Sequence, residues 1–436
     1  MPRTGARNVK ISFTAGHLTH FGGVYLLHRF LQQLRVRTFL YPRLHIPEWN
    51  NYFSVTERLL AMMYPMILGL NTIELKALLG TNGVFQYLTG LPKFPHPDTL
   101  RQFLVKKAPV LQPRLHAVHN DLRAHFLILP HPLTSLWFDF DSTARTLYGH
   151  QEGVAKGYNP HKQGARSYHP LLCAEARLGD CLGGKLRHGN ASSAAGVLDM
   201  LDEVLAIVPA GVRETRVRAD AGFYDTKFIE KLKENRIGFV VVADLTVPIQ
   251  RRLPGLRYHR MNRWESTAEF RYQPDGWPRA HRFVVMRERL TEPRSRQLKL
   301  LKLDRYAYRV IVTNLDLTPY GVFNFYDGRV GLERIIRVLR DDFPYAKAPT
   351  KRFLANAMYA EESLLAYNLM IWFQRLCLPN DWQSYTAATL RQRLLLIPGV
   401  FTRTDNRPQL KLPRNNPYQD VFTSAMRRVN TLRPLV

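Results

Sequence analysis

The chain has 436 residues, and its 62 Lys and Arg outnumber 35 Asp and Glu to give a formal charge of +27. A hydrophobic content of 45% with 11% aromatics excludes a largely disordered chain, and no run reaches the ~18 apolar residues of a membrane span, Leu59 to Leu70 being the longest. A folded chain this basic repels itself unless a polyanion neutralises it, so nucleic acid, whose phosphates release counterions to Lys and Arg, is the expected partner.

In chain order, residues 1–50 carry seven basic residues (Arg3, Arg7, Lys10, Arg29, Arg35, Arg37, Arg43) against one acid, Glu48. Gly22 to Leu31 has the three- and four-residue apolar spacing of a helix, and residues 54–90 hold two more such stretches separated near Gly69 to Thr72. Phe94-Pro95-His96-Pro97-Asp98-Thr99 reads as a stop, a cap and a fresh helix, and another helix is expected from about Pro113 to Leu127. Short basic helices in series are the material of a helix-turn-helix that enters a DNA groove; an ordinary helical domain with a solvated basic face fits them equally.

From Ser135 the texture becomes mixed. Ser135 to Phe140 reads as a strand ending in acids, Arg145 to Gly149 as its hairpin return, and Tyr168 to Ala176 as a third strand. Ala191 to Ile207, capped by Asn190, reads as a helix. Thr215 to Ala219 (strand), Asp225 to Asn235 (helix) and Ile237 to Val242 (strand) follow. That order suits a mixed sheet with helices on both faces. Residues 244–315 are strand-rich, with Ser266 to Tyr272, His281 to Met286 and Tyr306 to Thr313 as strands and turn chemistry at Pro274-Asp275-Gly276. Tyr326 to Asp341 and Phe353 to Gln374 return to helix, and the tail from Arg403 is basic and rich in Pro and Asn.

Cys173, Cys181 and Cys377 are too few for a disulfide scaffold and lack zinc spacing, and Met1-Pro2-Arg3-Thr4-Gly5 opens no apolar signal core, so a cytoplasmic protein is expected. His161, His169 and His188 lack metal-motif spacing and read as phosphate or packing residues; no Gly-rich nucleotide loop is present.

The chemistry is expected from acids at strand ends. Asp139 and Asp141, two apart, share a face; Asp220 ends another apolar strand before a glycine, and Glu333 lies on a late helix. Taken singly, each acid is more often a cap or an ion-pair partner. Carboxylates from adjacent strand ends, joined by one from a helix, would make an all-oxygen pocket suited to Mg²⁺, and two such ions about 3.5–4 Å apart clamp the attacking and leaving oxygens of a phosphodiester. If Tyr326 to Asp341 is one helix, Tyr326, Arg329, Glu333, Arg337 and Arg340 share a stripe roughly 80° wide, apart from the apolar Leu332, Ile335, Ile336 and Leu339. The bland alternative is a solvated face on which Glu333 pairs with Arg329 and Arg337.

At these residues the sequence resembles the DDE transposases of bacterial insertion sequences, closest to the "insertion sequence four" superfamily and its "thirteen-eighty" group. Tyr326-x2-Arg329-x3-Glu333-x6-Arg340 is similar to that superfamily's Y-x2-R-x3-E-x6-K signature, with Arg340 in place of Lys. Asp141-Ser142-Thr143 resembles the first aspartate and Ala219-Asp220-Ala221-Gly222-Phe223 the second. Gly149-His150-Gln151-Glu152-Gly153, Leu186-Arg187-His188-Gly189-Asn190 and Tyr367-Asn368-Leu369 add less specific support.

The resemblance implies an α/β fold, a ribonuclease-H-like mixed-sheet catalytic core (131–243 and 316–378) with a mainly β insertion (244–315). A helical DNA-end-binding domain (1–130) would precede it, and helices and a basic C-terminal segment (379–436) would follow. It implies Asp141, Asp220 and Glu333 as catalytic metal ligands, with Asp139 in reserve for the first, and Mg²⁺ as cofactor with Mn²⁺ as substitute. Tyr326, Arg329, Arg337 and Arg340 would hold DNA, and Trp264 or Trp277 would either stack a flipped base or pack in the core. The partners implied are double-stranded DNA, as inverted-repeat ends and target, and a second copy in a DNA-bound homodimer within the bacterial nucleoid. A domesticated, non-catalytic DNA binder and a ribonuclease-H-like nuclease without strand transfer remain open on the sequence.

Overall fold

The computed structural model describes residues 10–47, 52–91, 93–129, 133–157, 159, 162–290 and 305–435; Arg3, Arg7, Glu48 and His161 lie outside them. The chain divides into one unit of residues 1–103 with 372–436 and a second of residues 104–371.

The first unit begins with β1 (Leu18–Thr19), α1 (Val24–Gln33), α2 (Val36–Leu44), α3 (Val55–Ile67), α4 (Ala77–Gly80) and α5 (Gly83–Thr89). A capping box opens α3: the Glu57 N–H donates to Ser54 Oγ at 3.2 Å and the Ser54 N–H to Glu57 Oε2 at 2.8 Å. The two helices expected between Pro97 and Leu127 are one, α6 (Pro97–Leu127), which runs through Pro109 and Pro113. Both prolines are exposed, whereas Leu104, Ala108, Leu111 and Leu115 are buried. A proline removes an N–H and frees the carbonyl four residues back; on the wet side water takes that carbonyl, and the buried stripe stays unbroken.

The second unit is built on a sheet. Its strands are β2 (Ser135–Ser142), β3 (Arg145–Thr146), β4 (Ala155–Lys156), β5 (Arg166–Tyr168), β6 (Leu171–Glu175) and β7 (Asp180–Lys185). Then come α7 (Val197–Ala206), β8 (Glu214–Ala219), α8 (Thr226–Glu234), β9 (Gly238–Val242) and α9 (Val247–Arg252). β10 (His259–Arg260), β11 (Glu265–Tyr272), β12 (His281–Arg289) and β13 (Tyr306–Thr313) follow. The helices α10 (Pro319–Asp327), α11 (Val330–Asp341) and α12 (Phe353–Cys377) come last. Nine strands join in the order β10-β11-β12-β13-β9-β8-β2-β6-β7. β2, β6 and β7 form an antiparallel meander, and β8 and β9 add in parallel on the other side of β2. That arrangement is a ribonuclease-H-like mixed sheet. The β-rich segment expected as an insertion continues this sheet, because β13 pairs antiparallel with β9 at Ile311↔Val242.

Both faces are covered. Leu136, Phe138 and Phe140 of β2 bury against Met200, Leu201, Phe228 and Ile229 of α7 and α8, whereas Trp137, Val240 and Ile311 pack on the opposite face with Val322, Phe323 and Phe325 of α10. Three local expectations need correction. Arg145 and Thr146 do not return on β2 but pair with β5, at Arg145↔Tyr168. β7 was not foreseen because Gly183 and Gly184 weaken its strand pattern; a Cβ on Gly184 would lie 2.1 Å from Leu364 of α12, so the glycine admits that helix to the sheet. α7 starts at Val197, after a left-handed Gly196, rather than at Ala191.

The first unit closes with α13 (Ala387–Leu390), β14 (Gly399–Thr404), β15 (Arg407–Lys411) and α14 (Gln419–Thr431). Its small sheet runs β1-β14-β15.

Candidate active site

Parallel pairing of β2 with β8 aligns Phe140 with Ala219, so the next residue of each chain, Asp141 and Asp220, emerges at the same C-terminal edge. Asp141 accepts the Ser142 N–H at 2.7 Å. Asp220 caps the turn Ala221–Phe223 and accepts the Gly222 N–H at 3.0 Å. A side chain at 222 would meet Ser193 Cβ at 2.6 Å, so the glycine keeps this turn close to the loop before α7.

Arg329 joins the two carboxylates. Its Nη2 lies 3.2 Å from Asp141 Oδ1 and 4.0 Å from Asp220 Oδ2, and donates to the Phe140 carbonyl at 2.8 Å. Only 8% of Arg329 is exposed, and its Nε has no hydrogen-bond partner among the described residues. Burial pushes the Asp141 carboxyl above the usual range against the pull of Arg329, and the Asp220 charge adds to the rise. Burial opposes the Arg329 charge, but Asp141, Tyr326 and Asp220 outweigh it and raise its pKa.

The helix expected over Tyr326 to Asp341 is interrupted: α10 ends at Asp327, and Arg329 is the N-cap of α11. A continuous 100° stripe from Tyr326 therefore does not exist. The break has a cause in the sheet beneath. Arg218 of β8, paired across from Asp139, forms a buried bidentate ion pair with it, Nε–Oδ1 at 2.6 Å and Nη2–Oδ2 at 2.8 Å. Its remaining Nη1 donates to the Phe325 carbonyl at 2.9 Å, and a Cβ at Gly328 would sit 2.5 Å from that same nitrogen. Gly328 thus lets α10 end on Arg218 while Arg329 turns inward. Asp139, the reserve ligand, is fully buried, with both carboxylate oxygens on Arg218.

Tyr326 is half-buried at the end of α10, with Arg309 5.7 Å from its ring centre and its hydroxyl pKa raised by burial. Glu333 is exposed on the next turn of α11 and forms no ion pair among the described residues, so the bland alternative in which it pairs with Arg329 and Arg337 is not seen. Arg337 is exposed, and Arg340 donates to both oxygens of its neighbour Asp341, at 2.7 and 2.9 Å. Among the described residues no group of three His, Cys, Asp or Glu side chains is placed to hold a metal ion. The structure thus brings together Asp141, Asp220 and Arg329. In kind, two adjacent carboxylates match the few oxygen ligands Mg²⁺ takes, and a guanidinium now balances their charge.

Two features were not foreseen. Asp244, just past β9, stands near enough that burial and then the Asp220 charge raise its pKa; an apolar strand ending in Ala-Asp was the signal. Beside Asp141, Arg187 Nη2 donates to Ser142 Oγ at 2.7 Å, Ser142 bonds His169 Nε2 at 2.8 Å, and His169 Nδ1 bonds the Ala191 carbonyl at 2.7 Å. A carbonyl only accepts, so Nδ1 carries the proton and Ser142 donates to Nε2; burial lowers the His169 pKa in keeping with that neutral ring. Of the tryptophans, Trp277 packs on Tyr224 and His281, with ring centres 5.1 and 5.0 Å apart, whereas Trp264 is exposed before β11.

Residues 1–434 match the family described as transposase DDE domain group 1. Comparison with curated proteins finds no match. Among solved structures, the chain is similar to the cryo-EM structure of the piggyBac transposase synaptic complex with hairpin DNA. The two are 8% identical with a TM-score of 0.48, over 96% of this chain and 83% of that one.

Proposed function

Because the chain belongs to the transposase DDE domain group 1 family, we propose that it cuts and joins DNA at the inverted-repeat ends of a mobile element. The observation that carries this reading is the Asp141–Asp220 pair, set side by side by the β2–β8 register and balanced by Arg329. The spacing Tyr326-x2-Arg329-x3-Glu333-x6-Arg340 supports the finer assignment to the "insertion sequence four" superfamily and its "thirteen-eighty" group.

In this reading Asp141 and Asp220 would hold divalent ions, and Glu333 of α11 is the third ligand that the signature implies. Mg²⁺, or Mn²⁺ in its place, would supply there an activated water and offset charge developing on the phosphoryl oxygens. Asp141 is kept in place by the Ser142 N–H, and Ser142 by Arg187 and His169. Arg329 holds the end of β2 through the Phe140 carbonyl and sets a positive charge beside Asp141 and Asp220. Tyr326, Arg337 and Arg340 are the backbone-holding residues beside the reacting phosphodiester. Water first opens that phosphodiester to leave a 3′-hydroxyl; the hydroxyl then attacks a target phosphodiester, joining element to target as the target's own 3′-oxygen departs. Two copies of the chain bring both ends together in a DNA-bound homodimer of the bacterial nucleoid.

The test is cleavage of a plasmid carrying the coding sequence with its natural flanks, in Mg²⁺. Asp220→Asn is expected to lose about 10²–10³-fold in rate, the scale of removing one transition-state interaction, while binding the same DNA. Unchanged cleavage by that variant refutes the assignment.

A further inference from the structure

β14 and β15 make a ribbon whose root and tip differ. At the root, Gly399 and Val400 pair with Thr19 and Leu18 of β1, the Phe401 N–H donates to the His17 carbonyl at 2.9 Å, and the Phe401 ring lies 4.7 Å from that of Tyr87. Beyond Phe401 the ribbon has two strands only, and it closes at Asp405 and Asn406, both left-handed with φ of 51° and 60°. Two consecutive left-handed residues make the tight hairpin turn that matches strand twist, so the tip is narrow.

The register sorts the side chains. Thr402↔Gln409 and Thr404↔Arg407 share a face with Val400↔Lys411, and Phe401↔Leu410 and Arg403↔Pro408 share the other. The first face is polar and carries no acid; the second is anchored at Phe401 and Leu410. Arg403, Arg407, Lys411 and Arg414 are all exposed and form no ion pair among the described residues. Asp405 at the tip is the one acid from 399 to 414. A positive, two-stranded projection whose single acid sits at its tip has the shape and sign of a groove ligand: a major groove about 12 Å wide admits a β-ribbon.

We propose that the β14–β15 ribbon docks in the major groove of duplex DNA. Its polar face meets the base edges through Arg407 and Gln409, and Lys411 and Arg414 reach phosphates where the ribbon leaves the groove. Arg is suited to guanine and Gln to adenine there. The inference rests on the reading of the chain as a DNA enzyme, and it assigns DNA contact to a segment outside both the acidic site and the N-terminal helices.

The full chain is titrated with a fluorescent 30-base-pair random-sequence duplex at several salt concentrations. Arg407→Ala with Lys411→Ala should weaken binding at least about tenfold and reduce the salt slope by about 0.9 for each phosphate no longer neutralised. Arg403→Ala, on the reverse face, should change affinity less than twofold. Thermal melting of each variant checks the fold, and Arg407→Glu provides a single-site version with a larger expected loss. Wild-type-like binding by both Arg407 variants overturns the ribbon while leaving the DNA reading intact, and an equal loss from Arg403→Ala overturns the oriented face. No duplex binding by the wild type overturns the ribbon and the DNA reading together.

Discussion

Asp139 and Asp141 stand two residues apart on one strand face, yet they have different partners. Asp139 is spent on Arg218 in a buried bidentate pair, so Asp139→Asn strands a buried guanidinium. That change should cost about 3–5 kcal/mol of stability, read as a lowered denaturation midpoint in urea. Asp141→Asn, at the edge and partly exposed, is expected to leave the midpoint near wild type and abolish cleavage. Both would be contradicted by a stable Asp139→Asn protein or a collapsed Asp141→Asn one. Nothing in the motif Trp137-Phe138-Asp139-Phe140-Asp141 separates the two acids. The distinction comes from Arg218 on β8, brought opposite Asp139 only by the fold. The acid spacing therefore made the two strand-end aspartates legible, but not which one Arg218 would take, nor that Arg329 would sit between Asp141 and Asp220.

At the scale of elements, the structural value of short motifs becomes visible. Asn368 of α12 accepts the Cys181 N–H at 3.0 Å and donates to the Cys181 carbonyl at 2.9 Å, satisfying the edge strand β7. Glu152 accepts the Phe353 N–H at 3.1 Å where α12 begins. Gly328 separates α10 from α11; Gly328→Ala would drive a methyl against the locked Arg218 and should destabilise by about 1–3 kcal/mol, measured by chemical denaturation. α6, α7 and α12 meet at His116, which bonds Glu203 at 3.0 Å and Glu361 at 3.2 Å. Its hydrogen bonds to Glu203 and Glu361 raise its pKa to about 9. Buried His119, one turn on, is lowered to about 3 by burial and by Arg123. Between pH 6.5 and about 9 the folded chain holds the His116 proton more tightly than the unfolded chain, so this contribution declines as pH rises. Below pH 6.5 the unfolded His119 protonates first, so stability also declines as pH falls towards about 3. This pair therefore favours maximal stability near pH 6.5, and His116→Gln should flatten the alkaline limb of a melting-temperature profile. An unchanged alkaline limb in that variant would rule the ion pair out as its source. Such a cluster was not readable beforehand, because Glu203, Glu361 and His116 lie far apart in sequence and no short spacing links them.

For the whole molecule, alternation and helical spacing were enough to anticipate much of the order of strands and helices and a mixed sheet covered on both faces. They missed β7, whose glycines conceal a strand, and the β14–β15 ribbon, whose Pro and Asn read as loop. They also divided α6 at prolines that the solvent-facing side tolerates. The charge of +27 belongs to this scale too: duplex binding should weaken steeply with salt, since each phosphate neutralised contributes a slope of about −0.9, and a flat salt response would remove DNA as the polyanion. The most direct test of the carboxylate pair is Mn²⁺ binding to the full chain, followed by electron paramagnetic resonance. Wild type is expected to take up Mn²⁺, and the Asp141→Asn/Asp220→Asn double variant, folded by its melting curve, to lose it. Equal uptake by the folded double variant would contradict the assignment of these two aspartates as the metal-holding pair.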